Sequence, residues 1–374
     1  MFYKRMPIEK ESPEETGYDK ILFNLAESSV ADLRFDELNP SLNNLKLQYI
    51  GHSGNPGLRK LIAAEANGMH EEQVLLTSGA AGALFIINTS LLTAKDHLVV
   101  IRPNYATNIE VPLAIGCSIS FIDLKFEEGW KVNIRAIEAA ITNTTKLISI
   151  TSPHNPTGMV MSGNELDILI SIAEKRNIPL LVDETYRDAC FKTPYPLVAS
   201  RSGKVISVSS LSKTYGLPGL RMGWIISQDA ELMECFLAAK EMIHISNSAL
   251  DEEVAFQFYL EKEKFAKTIN KKAMQNYQLV ARWLQEESRL ECILPEGGVV
   301  CFPRFKNGET IDIKKFYSSL TQKYRTMVGP GHWFAMPDTY MRIGFGWLDR
   351  DSLEQGLGNI TKAITDSFNI EHEH

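Results

Sequence analysis

Short apolar runs recur along the middle of the chain and alternate with stretches of helical periodicity. The six clearest runs are HLVVIRP (97–103), SISFIDL (118–124), KLISITSP (146–153), IPLLVDE (178–184), KVISVSS (204–210) and MGWIIS (222–227). Between them lie patterns such as NELDILISIAEKRN (164–177), whose apolar residues recur at spacings of three and four. Strands that are apolar on both faces predict an α/β fold, with a mostly parallel central sheet covered by helices on both faces. The ligand site of such a sheet lies at the carboxyl ends of its strands.

The pattern changes towards both ends of the chain. Residues 1–44 are mixed and polar, and we expect them to form an N-terminal arm and part of a small domain. From about residue 229 to 290 the sequence is charged and helix-periodic, and the runs GGVVCFPRF (297–305) and TYMRIGFGW (339–347) predict strands of a smaller α+β domain. We therefore expect a large domain over 45–270 and a small C-terminal domain over 271–374, since 374 residues are too many for one simple core.

Composition narrows the choice of partners and of compartment. The net charge of -7 and the lack of basic runs argue against a nucleic acid or an anionic membrane as the partner. Five scattered cysteines without C-x-x-C spacing fit buried thiols in a reducing compartment. The N-terminus has no apolar signal core and no run of eighteen apolar residues occurs, so we expect a cytoplasmic protein. The C-terminal HEH lacks further ligands, and we predict no metal site.

Small and polar residues follow the ends of four predicted strands. The first motif, VLLTSGAAGALFIINTSLL, is a strand-like run to Thr77 and then a small-residue turn that opens an apolar helix. Backbone N–H groups at Gly79, Ala80 and Ala81 would be free at this helix start, where an anion could approach them. Close packing of the helix is the alternative interpretation of these small residues.

Two further strands end in an asparagine and an aspartate. In SPHNPTG two prolines bracket Asn155, so that its amide is presented from a rigid loop; the alternative is a plain turn. In IPLLVDETY, Asp183 ends a run that is apolar on both faces, where a carboxylate is costly unless a cation or donor meets it. Asp183 could instead cap a following helix.

The fourth motif, SVSSLSKTYGLPGLRMGW, places Lys213 after a strand among small residues. Partial burial beside cations would lower the pKa of this lysine and free its amine as a nucleophile. Ser210 and Ser212 supply hydroxyl groups, and Arg221 supplies a fork that suits phosphate oxygens. The spacing K-x7-R within Gly- and Pro-rich sequence is more specific than the lysine alone.

Taken together and in this order, SLSKTYGLPGLRMGW, HNPTG, VDETY and MRIGF make the chain resemble the pyridoxal-phosphate enzymes of fold type I, and specifically the class I/II aminotransferases, from about residue 45 to 350. The resemblance implies pyridoxal 5'-phosphate as cofactor and a Schiff base between its aldehyde and Lys213. It also implies that Asp183 faces the pyridine nitrogen and keeps it protonated, which makes the ring an electron sink.

The resemblance assigns roles to several further residues. It implies that Asn155 and Tyr186 bind the ring oxygen, that Tyr105 stacks on the ring and that Arg342 clamps the substrate α-carboxylate. The implied phosphate ligands are the amides of Gly79–Ala81, Ser210, Ser212, Arg221 and, from the neighbouring subunit of a homodimer, Tyr49. Routine packing is the alternative for Tyr105 and Tyr49. The implied substrates are an amino acid and a 2-keto acid.

The chain also departs from the family pattern. Where members often carry a Gly-rich segment that touches the substrate, this chain has NLAESSVADL (24–33), in which Ser28 becomes a candidate substrate ligand. No arginine is recognisable for a second substrate carboxylate. We expect transamination, with a lyase, decarboxylase or cyclase reaction on the same scaffold as the alternative. A ligand-sensing regulator would need a DNA-binding segment, which the first forty residues do not suggest, and no G-x-G-x-x-G supports a dehydrogenase.

Overall fold

A computed structural model describes residues 1–191, 195–306 and 308–368 of the chain. The strands are β1 (Phe23–Asn24), β2 (Val74–Ser78), β3 (His97–Arg102), β4 (Ser118–Asp123), β5 (Thr145–Thr151), β6 (Leu180–Asp183), β7 (Val205–Ser210), β8 (Met222–Ser227), β9 (Leu290–Glu291), β10 (Val300–Cys301), β11 (Arg304–Phe305), β12 (Thr326–Met327), β13 (Gly329–Pro330) and β14 (Met341–Gly344). The α-helices are α1 (Pro7–Lys10), α2 (Pro13–Thr16), α3 (Phe35–Leu38), α4 (Pro56–Ala63), α5 (Gly79–Leu91), α6 (Thr107–Ile115), α7 (Ile134–Ala140), α8 (Gly163–Arg176), α9 (Ala230–His244), α10 (Ala249–Leu260), α11 (Lys262–Glu286), α12 (Ile313–Ser318) and α13 (Arg350–Ser367).

Strands β2 to β8 form one sheet in the order β2-β8-β7-β6-β5-β3-β4, in which β8 runs antiparallel to its neighbours. Each of the six apolar runs overlaps one of the strands β3 to β8. The register places Asp183 beside Thr151 on one side and Val208 on the other, and Ser210 beside Gly223. The polar ends of the strands therefore meet at one edge of the sheet.

Alternate residues of the central strands pack into two separate hydrophobic clusters. In β3, Val99 and Ile101 join a cluster with residues of α4, α8 and α10, whereas Leu98 and Val100 join a cluster with residues of α5 and α9. This alternation follows from the two-residue period of a strand and shows that helices cover both faces. The predicted α/β fold class is confirmed.

A third hydrophobic cluster joins the two ends of the chain. It combines Leu25 and Val30 of the arm with residues of α11, α13 and β14, and short strand pairs border it. Gly344 of β14 allows the arm to cross closely: its N–H donates to the Leu25 carbonyl at 2.7 Å, and a Cβ at this position would overlap the Glu27 carbonyl oxygen. The smaller α+β unit from both chain ends is thus present, while the limits at residues 44 and 270 stay predictions.

The charged stretch after residue 229 is broken into α9, α10 and α11. Ser248 starts α10 by accepting a hydrogen bond from the Asp251 N–H at 3.3 Å, a cap that marks the break. In the described residues, no helix has the length and apolar character needed to cross a membrane. These residues also contain no cluster of His, Cys, Asp and Glu suited to a metal ion, and His372 and His374 of the C-terminal HEH lie outside them.

Candidate functional site

A cavity of about 560 Å³ lies at the carboxyl ends of β5, β6 and β7 and extends to Arg342 of β14. It brings together most of the candidate residues from the sequence: Ser28, Ala80, Ala81, Tyr105, Asn155, Asp183, Tyr186, Ser210, Ser212, Lys213, Arg221 and Arg342. Gly79 and Tyr49 do not line it. We call the lining residues that follow the strands the strand-end wall.

Lys213 enters the cavity from the loop after β7. Its carbonyl accepts the Val30 N–H at 3.0 Å, and the hydroxyl of the next residue, Thr214, donates to the Thr185 carbonyl at 2.9 Å. Burial among protein atoms lowers the pKa of the Lys213 amine; the Glu27 carboxylate opposes this shift and Arg342 adds to it. An amine that is more easily deprotonated can serve as a nucleophile and as a base.

Asp183 is buried at the end of β6. Its Oδ1 accepts hydrogen bonds from the N–H and hydroxyl of Thr185, at 3.1 and 2.6 Å. This arrangement is a local turn, and the alternative in which Asp183 caps an α-helix is not what the structure has. Burial raises the pKa of Asp183, and the Thr185 bonds oppose this only in part. The carboxylate is therefore suited to a cationic partner inside the cavity.

Arg342 of β14 is 3% exposed and lines the same cavity as Asp183. Its Nη1 donates to Asn155 Oδ1 at 3.1 Å and its Nη2 to the Ala26 carbonyl at 2.6 Å. Its Nε has no hydrogen-bond partner within the described residues. Burial lowers the pKa of this guanidinium, although the group stays charged in proteins. A buried guanidinium with a free donor is suited to a carboxylate ligand.

A hydrogen bond joins Tyr186, which follows β6, to Ser28 of the N-terminal arm. The Tyr186 hydroxyl donates to the Ser28 carbonyl at 2.7 Å, and burial raises the pKa of Tyr186 to about 12. This hydroxyl thus stays protonated at neutral pH. The bond fixes the stretch that begins at residue 24 against the strand-end wall.

The opposite end of the cavity is suited to an anion. Gly79, the first residue of α5, has φ +71°, and the Ser78 side chain does not cap the helix. A Cβ on Gly79 would lie 2.6 Å from Arg221 Nη2, so the glycine lets the guanidinium reach the helix start. Ala80, Ala81, Ser210 and Ser212 complete this end of the lining. Helix N-terminal N–H groups, hydroxyls and a guanidinium are the donors that phosphate groups meet in proteins.

Sequence reasoning missed the part of the cavity that the N-terminal arm supplies. Ile8, Glu9, Ser12, Pro13, Glu14, Ala26 and Glu27 line the cavity, and with Ser28 we call them the arm wall. Glu11 anchors this segment, because its Oε2 accepts from Trp333 Nε1 at 2.8 Å and bonds His332 Nε2 at 2.7 Å. The run EKESPEE has no apolar period, and its density of acidic residues was the only signal of a site.

Tyr49 lies on an exposed surface outside the cavity. Its side chain is 78% exposed and borders a groove with Leu47 and Leu250. A neighbouring groove contains Ile243 and also Arg221, which lines the cavity. Met242, 89% exposed, lies beside Ile243 in the sequence. An apolar surface thus borders the anion-binding end.

Comparison with known proteins gives one family and several relatives. Residues 37–360 match the family model for aminotransferases of class I and II. Capreomycidine synthase of Streptomyces vinaceus is 30% identical over 315 residues, which cover 83% of this chain and 79% of that protein. A solved PLP-dependent aminotransferase from Streptococcus suis superposes with a TM-score of 0.90 at 26% identity over 98% of both chains. The PLP-dependent cyclase OrfR gives a TM-score of 0.87 at 24% identity, also over 98% of both chains.

Proposed function

We propose, from the premise that this chain belongs to the class I and II aminotransferase family and depends on pyridoxal phosphate, that it exchanges the amino group of an amino acid for the oxo group of a 2-keto acid. The observation that carries the proposal is that the Lys213 amine and the Arg342 guanidinium line one cavity. The first can bond an aldehyde, and the second can hold the α-carboxylate of an amino acid.

The residues of the cavity fit this cofactor. Asp183 is a buried carboxylate without an ion-pair partner in the described residues, which suits a protonated ring nitrogen. The uncapped start of α5 with Arg221, Ser210 and Ser212 suits the phosphate. Tyr105 supplies an aromatic face to the lining, and the Asn155 side-chain NH₂ supplies a donor for the ring oxygen. The Tyr186 hydroxyl donates to the Ser28 carbonyl in this structure and would have to redirect that hydrogen bond to bind the same oxygen.

The protein residues divide the chemical work. Bound pyridoxal phosphate supplies an aldehyde that bonds amines and a protonated ring that withdraws electrons from the substrate Cα. Arg342 binds the α-carboxylate and so orients the Cα–H bond towards Lys213. Lys213 Nζ, released when the substrate amine takes its place, accepts the proton from Cα. Asp183 holds the charge that the ring nitrogen needs, and Asn155 fixes the Arg342 fork.

A second candidate is a cyclase reaction on the same scaffold. It is favoured by the relative named capreomycidine synthase, and the fold of the cyclase OrfR shows that the scaffold hosts such chemistry. Both candidates use Lys213 and Arg342 for the same first proton transfer. They differ in whether the amino group leaves the substrate.

We also propose that the enzyme acts as a homodimer. The exposed apolar surface with Leu47, Tyr49, Met242 and Ile243 borders the Arg221 end of the cavity, and burying it would favour association. Tyr49 of each subunit would then contribute to the phosphate site of the other. A Tyr49→Phe variant that stays dimeric by light scattering but binds pyridoxal phosphate more weakly supports this role, and unchanged cofactor affinity contradicts it.

The decisive experiment mixes holoenzyme with single amino acids in the absence of a keto acid. Transamination converts the cofactor to its pyridoxamine form and releases one equivalent of 2-keto acid, which absorbance and mass spectrometry detect. A cyclase or lyase gives many equivalents of product while the aldehyde form persists. Borohydride reduction of the resting holoenzyme should fix the cofactor on the peptide that contains Lys213; attachment elsewhere contradicts the proposal.

A further inference from the structure

Three acidic residues of the arm wall line a cavity in which the proposed function already assigns a ligand to each lysine and arginine of the lining. Glu9, Glu14 and Glu27 line the cavity together with Lys213, Arg221 and Arg342. In the proposed function, Lys213 holds the cofactor, Arg221 its phosphate and Arg342 the substrate α-carboxylate. No lining cation is left to meet an acidic substrate side chain, whereas three acids stand on the arm side.

The acidic residues of the arm fall into two groups, those that form an ion pair and those that do not. Glu15 pairs with Arg5 at 3.3 Å and Glu11 with His332 at 2.7 Å, and neither lines the cavity. Glu9, Glu14 and Glu27 form no ion pair with any Lys, Arg or His of the described residues. The nearest polar contact of Glu27 is the Tyr18 hydroxyl, which donates to it at 3.4 Å. The acids that lack a cation are therefore the ones that face the cavity.

Two of the residues that line the cavity, Ser12 and Arg342, each have a buried polar atom without a hydrogen-bond partner. Ser12 is 6% exposed and its hydroxyl makes no hydrogen bond within the described residues. Arg342 Nε of β14 also has no partner within the described residues, and the Nη2 of the same guanidinium contacts the arm at the Ala26 carbonyl. Buried donors without partners are costly, so both atoms point to a ligand that extends from Arg342 along the arm.

The electrostatic setting of Glu9 agrees with this picture. Burial and the Glu14 carboxylate raise the pKa of Glu9, while Lys213, Arg5 and Arg221 oppose the shift only in part. Two neighbouring carboxylates in a half-enclosed place repel each other. A cation between them would remove this repulsion.

We infer that the substrate is an amino acid whose side chain ends in a cation, a guanidinium or an ammonium group, which Glu9, Glu14 and Glu27 bind while Arg342 holds the α-carboxylate. This inference rests on the proposed function, because Arg342 and Lys213 fix where the reacting carbon lies. It makes the arm wall the specificity-determining surface.

The test compares two ligands that cannot react. 5-Guanidinopentanoate and 5-ureidopentanoate have the arginine and citrulline skeletons without the α-amino group, so both can bind holoenzyme without chemistry. Isothermal titration should give a dissociation constant at least about tenfold lower for the guanidino compound, since a charge-assisted contact is stronger than a neutral one. Equal constants, or no binding of the guanidino compound, overturn the inference.

Variants assign the preference to residues. Glu9→Gln, Glu14→Gln and Glu27→Gln should each reduce the ratio of the two constants about three- to tenfold, and the double variant Glu9→Gln/Glu14→Gln should bring it close to one. Glu15→Gln is the matched control, because Glu15 is on the same segment but pairs with Arg5 outside the cavity. A ratio that is unchanged in the double variant contradicts the inference. The double variant leaves Glu27 intact and so avoids a folding defect where the arm crosses β14.

Failure of the inference can be told apart from failure of the proposed function. If no amino acid converts holoenzyme to its pyridoxamine form, transamination is wrong, while the ratio of the two unreactive ligands still decides the preference. If glutamate and neutral amino acids convert the cofactor as well as arginine, lysine or ornithine, transamination holds and the cationic preference is wrong.

Discussion

The two walls of the cavity differ in origin and in what holds them. The strand-end wall consists of residues that follow β5, β6 and β7 and are fixed by the register of a buried sheet. The arm wall consists of short helices and turns fixed by a few long-range contacts, such as the bond from Trp333 to Glu11. In the proposed function, the strand-end wall carries the chemistry that a family shares, and the arm wall sets which side chain is accepted.

Replacing Lys213 should give the largest effect and acts on the strand-end wall alone. Lys213→Ala removes both the covalent anchor and the base, so turnover should fall by about 10⁴-fold or more. Absorbance of bound cofactor and borohydride trapping check the loss of attachment. Lys175→Ala, an exposed lysine of α8, is the control and should leave both unchanged. Trapped cofactor in the Lys213 variant would contradict the assignment.

Replacing Asp183 should separate stability from activity. Asp183→Asn removes the charge that the ring nitrogen needs, and turnover should fall about 10²- to 10³-fold. Because burial raises the pKa of Asp183, its ionised form costs folding energy, and the apoenzyme of this variant should be at least as stable as that of the natural chain. The extra stability of the Asp183→Asn apoenzyme is present above the raised pKa of Asp183. It is lost as pH falls through that pKa towards the ordinary pKa of an aspartate. Thermal unfolding at several pH values measures it.

A control variant and the binding of the cofactor check the prediction for Asp183→Asn. Asp19→Asn, at an exposed position of the arm, should change neither turnover nor the melting temperature of the apoenzyme. Pyridoxal phosphate should raise the melting temperature of Asp183→Asn less than that of the natural chain. An apoenzyme strongly destabilised by Asp183→Asn at neutral pH would show that the carboxylate has a structural task.

Replacing Arg342 tests the residue that touches both walls. Arg342→Lys keeps the charge but loses the fork that contacts Asn155 and the Ala26 carbonyl, so KM should rise about 10- to 100-fold for every amino acid. The ratio between cationic and neutral substrates should change little, because that ratio depends on the arm wall. Arg282→Lys on the exposed side of α11 is the control. If Arg342→Lys changed the ratio between cationic and neutral substrates but left KM unchanged, Arg342 would select the side chain and would not bind the α-carboxylate.

The smallest effect concerns the anchor of the arm. Burial alone would lower the pKa of His332, but hydrogen bonds to Glu11 and Asp338 outweigh it and raise this pKa above its ordinary value of 6.5. Protonated His332 therefore stabilises the folded arm fully below pH 6.5, and this stabilisation is lost as pH rises through the raised pKa. Relative to His332→Gln, the natural chain should resist tryptic cleavage after Lys10 about two- to fivefold at pH 6.5 and lose this protection at pH 9. A ratio that is the same at both pH values contradicts the prediction.

The sequence predicted the strand-end wall well because its signals are local. Each apolar run is long enough to define a strand, and the carboxyl-end rule then places Asn155, Asp183 and Lys213 together. These three residues do line one cavity. Their chemical roles stay predictions from the family resemblance, which the family match makes more specific.

The arm wall could not be predicted in the same way. Glu9 and Glu14 lie in helices of four residues without an apolar face, and their position depends on the contact of Glu11 with His332, 321 residues away. Such contacts follow from the tertiary fold and leave no period in the sequence. The start of α10 at Ser248 was also hard to predict. A serine is a common helix cap, but the residues on both sides of it have helical periodicity, so the sequence does not show a break there.

The close crossing at Gly344 has a consequence for engineering. The arm between Leu25 and Glu27 is tied to β14 by its backbone. Residues 1–16 are held instead by Glu11, which bonds His332 and Trp333, and by the Phe2 N–H, which donates to the Ala114 carbonyl at 3.2 Å. A graft that exchanges residues 1–16 and keeps Glu11 would therefore retain the seam at Gly344. Libraries confined to this short stretch offer a way to retune the enzyme for new amino acids while its reactive machinery stays intact.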